Sequence, residues 1–184
     1  LVAAGQRLTI RNEQGAAVQW GCATVQGWWG EWLTYVRQAG GQLFSSDQGH
    51  CVLDSAESLR GLTFFYDKAY RFGISPPPGQ DFPSSFAGGR YGMLVGGHVD
   101  EWKTFNSAEG LDWDVQMLPR GPAGRSGGEI ALGAYGISKR TAHPEAAWTV
   151  LKFLTSRSAV EREIRRGGLA VRRSVAEAVF FTPG

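Results

Sequence analysis

Short apolar alternations and glycine-stopped amphipathic stretches take turns along this chain, an interleaving that argues for an α/β sheet and against a sandwich. The stretch LTIRNEQGAAVQWGCATV reads as two strands, roughly residues 7 to 10 and 17 to 25, joined by a polar turn at Asn12 to Gly15. Around Trp29 a helix begins, with Trp29, Leu33, Val36 and the neighbouring Trp32 on one face and Gly40 as its left-handed stop. A second helix is marked by Asp54 and Glu57 as a capping box. Leu59, Leu62, Phe65, Tyr66, Ala69 and Phe72 recur at helical spacing before Gly73, and SPPPG ends it.

Further along, FAGGRYGMLVGG predicts a helical turn and a strand through Met93, Leu94 and Val95, before a polar, partly helical piece that starts at His98. LDWDVQMLP alternates at Trp113, Val115 and Met117, as a half-buried strand does. RGPAGRSGG is a turn or linker, and EIALGAYGIS resumes as a strand. HPEAAWTVLKFLTS is a helix with Pro144 in its first turn and Ala147, Val150, Leu151 and Leu154 on one side. A short helix from Ser158, boxed by Glu161, stops at Gly167 and Gly168. LAVRRSVAEAV then gives an extended piece and a final helix.

Composition narrows the class. With 184 residues, 42% of them hydrophobic, the chain is one domain's worth of globular protein with a sizeable core. No apolar run approaches the roughly 18 residues of a membrane-spanning helix. The charge of +2 is thinly spread, and the Arg165–Arg166 and Arg172–Arg173 pairs lack interleaved aromatics, so nucleic acid is not an expected partner. Opening on Leu1 without a leader, the chain reads as a fragment or processed product. Cys22 and Cys51 are too few for a zinc site and have no histidine at ligand spacing. They read as two buried free thiols, with a disulfide conditional on an oxidising compartment and close approach.

Catalytic signatures are missing. There is no nucleophile elbow, phosphate loop, dinucleotide fingerprint or zinc-protease helix, and His50, His98 and His143 are far apart. Glu31, Asp100, Glu101, Asp112 and Asp114 qualify as glycosidase carboxylates by type only, and solvated or helix-end charge is the default for each. No catalytic residue, metal or cofactor is assigned, and the chain is not expected to be an enzyme. The 26 glycines and 7 tryptophans suit tight turns around flat apolar surfaces, a combination fitted to sugars. Core packing is the default for Trp29, Trp32, Trp102, Trp113 and Trp148. Trp28 breaks the stripe, because adjacent indoles on a helix point about 100° apart. It either lies under a neighbouring loop or offers its face to a pyranose.

The landmarks LTIRNEQG, WWGEWLTYVRQAGGQLFSSDQGHCVLDSAESLRGLTFFYDKAYRFG, FAGGRYGMLVGGHVDEW, WDVQMLPRGPAG, GGEIALGAYGISKRTAHPEAAWTVLKFLTS and RRGGLAVRRSV are in the order found in family 1 extracellular solute-binding proteins of ABC transporters. The chain resembles that family, which includes maltose-binding and glycerol-3-phosphate-binding proteins. The resemblance implies an α/β, type II periplasmic-binding-protein-like fold, here the C-terminal lobe plus a hinge-crossing segment of the other lobe. Residues 7–118 would form the C-terminal lobe, 119–166 the hinge crossing and part of the N-terminal lobe, and 167–184 the return. The missing N-terminal lobe is then a partner, and the returning apolar segment would lack its sheet neighbours.

By the same resemblance, Trp29 and Trp32 match a cleft-lining Trp-x-x-Trp, with Trp28 as the adjacent alternative. Gly96, Gly97 and His98 stand where the family often has Gly-x-Trp, so histidine replaces an aromatic wall. Gly133 and Tyr135 match the hinge-strand approach to ligand. Arg172 matches a polar position in G-x-P-x-R, although Ala170 replaces the proline. Turn dihedrals for the glycines, helix entry for His98 and a solvated charge for Arg172 are the structural alternatives. The implied function is capture of a sugar or polyol for a membrane-embedded ABC permease, in the periplasm or at an anchored extracellular position. A glycosidase and a stand-alone lectin-like module are the competing readings.

Overall fold

The computed structural model describes residues 1–24, 28–77, 86–95, 101–128, 133–165, 168 and 171–180. The chain divides into two compact units, Leu1–Gly97 with Ala108–Ile130, and His98–Ser107 with Ala131–Gly184.

The first unit opens with a helix, where a strand is predicted from residue 7. Helix α1 spans Val2–Leu8 and only Ile10–Arg11 (β1) is extended, paired antiparallel with Ala17–Gln19 (β2). The helix wins because the Gly5 carbonyl accepts from both the Thr9 amide (3.0 Å) and the Thr9 hydroxyl (2.8 Å). Gly5 is buried beneath Ile74, and a Cβ on Gly21 would fall 1.9 Å from the Gly5 oxygen, so the two backbones touch. Beyond Gln19 the predicted long strand gives way to isolated pairings. Trp20 N donates to Arg90 O, Cys22 N to Ile74 O and Ala23 N to Met93 O. Met93, Leu94 and Val95 form no regular strand, yet the Met93 carbonyl supplies part of this ladder.

Helix α2 spans Trp29–Gln38 and stops as expected, with Gly40 at φ 94°. Helix α3 spans Ala56–Tyr70, but its cap is Ser55, not Asp54: the Ser55 hydroxyl accepts from the Ser58 amide at 3.3 Å. The buried face of α3 also differs from the predicted stripe. Ser58, Gly61 and Lys68 are buried, whereas Leu59 and Tyr66 are exposed. Small residues at 58 and 61 let α3 approach α2 more closely than a leucine stripe would. The core gathers Cys22, Tyr35, Ile74 and Val95, with Phe64, Phe65, Phe72 and Leu118 packed on it.

The segment expected as a turn or linker forms a turn, with Gly121 N donating to Arg125 O at 2.9 Å, and it is docked. Gln38 Nε2 donates to the carbonyls of Pro119 (3.0 Å) and Ser126 (2.8 Å), and its own carbonyl accepts from Ala123 N. Residues 111–119 form no strand, and Met117 is 87% exposed, because no neighbouring strand pairs with them among the described residues.

The second unit holds α4 (Trp102–Ser107), α5 (Pro144–Leu154), α6 (Arg157–Arg165) and α7 (Arg173–Phe180). Among its described residues Val160, Ile164 and Val175 form a small buried cluster. Helix α6 begins one turn-position earlier than predicted, since the Ser156 hydroxyl accepts from Ala159 N at 3.4 Å while Glu161 pairs with Arg157. Helix α5 has Pro144 in its first turn as expected but buries no residue; Val150 and Leu154 are exposed, not core. Of the predicted strand at 129–138, the described residues 133–138 are irregular and exposed. Among the described residues no helix is long and apolar enough to cross a membrane.

Candidate functional site

Helix α2 begins without a side-chain cap. Trp28 occupies the N-cap with extended dihedrals (φ −91°, ψ 121°), and Trp29 is the first helical residue. This bend separates the two indoles, which meet at 6.3 Å between ring centres with planes 53° apart. Trp29 is 50% exposed and Trp28 and Trp32 are half-buried. Placing Trp29 on a core stripe with Leu33 and Val36 is therefore incorrect. The core side of α2 is carried by Leu33, Tyr35 and Val36 together with the polar Glu31, Thr34 and Gln38, and Trp29 points off it.

In the first turn of α2, two residues after Trp29, lies a charge expected to be solvated or at a helix end. Glu31 is fully buried, and its carboxylate accepts from the ammonium of Lys68, also fully buried. Lys68 Nζ further approaches the Ala23 carbonyl (3.5 Å) and Thr24 Oγ1 (3.4 Å), and sits over the rings of Tyr35 (5.0 Å) and Phe65 (5.6 Å). Burial disfavours the charged amine, but Cys22, Tyr35 and Glu31 outweigh it and hold the Lys68 pKa above the usual lysine range. Burial likewise raises the Cys22 thiol and the Tyr35 phenol. The spacing that could have revealed this is 58, 61, 65, 68 and 72: one helix face on which a lysine follows small residues.

The other expected residues are scattered. Gly96, Gly97 and His98 lie outside the described residues. In the second unit, Gly133 is exposed with open space around its Cα, and Tyr135 lines a pocket of about 210 Å³ with Phe153, Leu154 and Val171. Arg172 Nε donates to the Thr155 carbonyl at 2.6 Å, linking the residue after α5 to the start of α7. A pocket of about 330 Å³ in the first unit is lined by Gly40, Gly41, Phe44, Ser45, Val52 and Ser55, at the C-terminal end of α2 and away from the tryptophans. Trp148 is exposed, contrary to the core default, with Lys152 5.9 Å over its ring. Both cysteines are free; Cys22 is buried, but Cys51 is exposed. Asp112 and Asp114 are exposed, and no group of metal-ligating residues gathers among the described residues.

A half-exposed indole at the start of a helix is chemically able to stack on an apolar face that carries polar groups at its rim. The family model of bacterial extracellular solute-binding proteins matches residues 1–161. No curated protein matches the chain. Among solved structures, an ABC substrate-binding protein of Listeria monocytogenes in complex with cycloalternan is 20% identical, with a TM-score of 0.72, over 98% of this chain and 46% of that one. The maltose/maltodextrin-binding domain MalE of Bdellovibrio bacteriovorus, bound to maltotriose, is 20% identical with a TM-score of 0.72, over 96% and 48%. The maltose-bound MalE3 of T. maritima is 29% identical with a TM-score of 0.66, over 89% and 46%. The fold is thus α/β and type II periplasmic-binding-protein-like, and the chain spans less than half the length of the structures it matches.

Proposed function

This chain belongs to the bacterial extracellular solute-binding proteins, and from that premise we propose that it is the extracytoplasmic substrate-binding component of an ABC importer for a carbohydrate or related polyol. The observation that carries the reading is the Trp28–Trp29 pair, half in solvent at the start of α2. The sugars named with the matched structures support the ligand class. Residues 7–118 are assigned to the C-terminal lobe, 119–166 to the crossing and the other lobe, and 167–184 to the return. Trp28, Trp29 and Trp32 form the stacking wall. Gly96, Gly97, His98, Gly133, Tyr135 and Arg172 join the proposal through the family resemblance.

The work is capture without conversion. An indole face takes the C–H side of a pyranose, polar groups at the rim satisfy its hydroxyls, and closure of the lobes excludes water. Ligand favours the closed form only by binding it more tightly than the open one, and the closed form is what a permease recognises. Delivery to a permease places the protein in the periplasm or anchored outside the cytoplasmic membrane.

Calorimetric titration with mono-, di- and trisaccharides and glycerol phosphodiesters tests this on the 184-residue chain and on the product of its complete reading frame. The complete product binds one member of the panel, and the chain alone binds it weakly or not at all. Failure of the complete product to bind any of them would overturn the reading.

A further inference from the structure

The start of α2 carries the proposed aromatic wall, and among the described residues no side-chain cap hydrogen bond is made there, so other contacts help to fix its direction. Three acceptors converge on the Lys68 ammonium: the Ala23 carbonyl, Thr24 Oγ1 and the Glu31 carboxylate. An ammonium has three N–H donors, so this set matches its capacity. Two of the acceptors precede Trp28 in sequence and the third follows Trp29. One side chain from α3 therefore grips the chain on both sides of the indole pair.

The dipoles agree with this arrangement. Glu31 lies in the first turn of α2 and Lys68 in the last turn of α3, the ends at which each charge is favoured. Stability is a poor reason for such a pair, because a buried ion pair is often no better than well-packed apolar side chains. What it supplies that apolar packing does not is direction, since charge-assisted hydrogen bonds hold specific atoms at specific angles.

We infer that Lys68 and Glu31 are positioning residues for ligand binding: they fix the N-terminal turn of α2 so that the Trp28–Trp29 surface is set before a sugar arrives. The inference rests on the sugar-binding reading for its purpose, but its geometric content is measurable without any ligand. Neither side chain touches the sugar. Pre-setting the wall removes an ordering cost that binding would otherwise meet.

The test compares wild type with Glu31→Gln/Lys68→Met, a paired replacement that leaves no buried charge alone, and with Trp28→Phe to assign the near-ultraviolet circular dichroism of the Trp28–Trp29 pair. The double variant should unfold cooperatively near the wild-type urea midpoint, while the Trp28–Trp29 band falls about twofold or more, as such bands do when aromatic packing loosens. A folded double variant that keeps the wild-type band would overturn the inference. Its failure to fold would also count against it, by making the pair a determinant of the fold and not of the wall. Maltotriose added to each protein, followed by tryptophan fluorescence, separates the two claims. If the product of the complete reading frame is silent to maltotriose and to the wider saccharide panel, the transport reading fails, and the ligand-free spectra still decide the positioning role.

Discussion

Gly61 of α3 lies directly on the backbone of Val36 in α2: a Cβ at position 61 would be 2.4 Å from the Val36 Cα and 2.6 Å from the Tyr35 carbonyl oxygen. Neither obstacle is a flexible side chain. In an ordinary helix, alanine is better than glycine by roughly 0.5–1 kcal/mol. Here the clash outweighs that gain. Gly61→Ala is expected to lower stability by about 1–3 kcal/mol, the usual cost of overpacking, read as a lower urea midpoint. An unchanged or raised midpoint would show that the helices separate freely.

Lys68→Met leaves the Glu31 carboxylate buried without its ammonium. Breaking one side of a buried pair typically costs about 3–5 kcal/mol, whereas replacing both partners is close to neutral. Urea unfolding of Lys68→Met, Glu31→Gln and the double variant forms a cycle whose interaction energy should be large. Additive losses would mean that the two groups act independently.

The pH dependence follows from the same cluster. Cys22 and Tyr35 are raised by burial from ordinary values of 9.0 and 10.0, and Lys68 is raised from 10.5 because its neighbours overcome burial. In each case the folded pKa exceeds the unfolded one. Stability is therefore fully present below the unfolded value and is lost as pH rises, because the folded state then holds more protons. The urea midpoint should be level from neutral pH to pH 9 and decline above it, about where an unfolded thiol ionises. Cys22→Ala should delay the onset towards the tyrosine range. A midpoint that holds steady through pH 11 would contradict these shifts.

Trp29 is half in solvent, so its removal costs the fold little. In the product of the complete reading frame, the proposed stacking role means that Trp29→Ala is expected to weaken binding of the saccharide found by titration at least tenfold, or about 1.4 kcal/mol. Equal affinity in wild type and variant would move the stacking wall elsewhere.

Local chemistry made much of the framework legible. Gly40 closes α2 in the left-handed region because a Cβ is disfavoured there, and Pro144 opens α5 because its missing N–H has no helical partner to lose. Neither signal needs a neighbour in space. The ordered landmarks from LTIRNEQG to RRGGLAVRRSV carried the family for the same reason: they are read along the chain. Which face each helix buries was another matter. Apolar spacing put Trp29 inward and Leu59 and Tyr66 in the core, yet all three are exposed while Glu31, Ser58, Gly61 and Lys68 are buried.

By itself, the sequence determined where α2 and α5 start and stop and which protein family supplies the plan, since both depend on neighbours in the chain. Only the tertiary structure decided that α2 and α3 meet through small residues and a buried ion pair. Close backbone approach and charge pairing depend on residues 37 positions apart that no periodic pattern links.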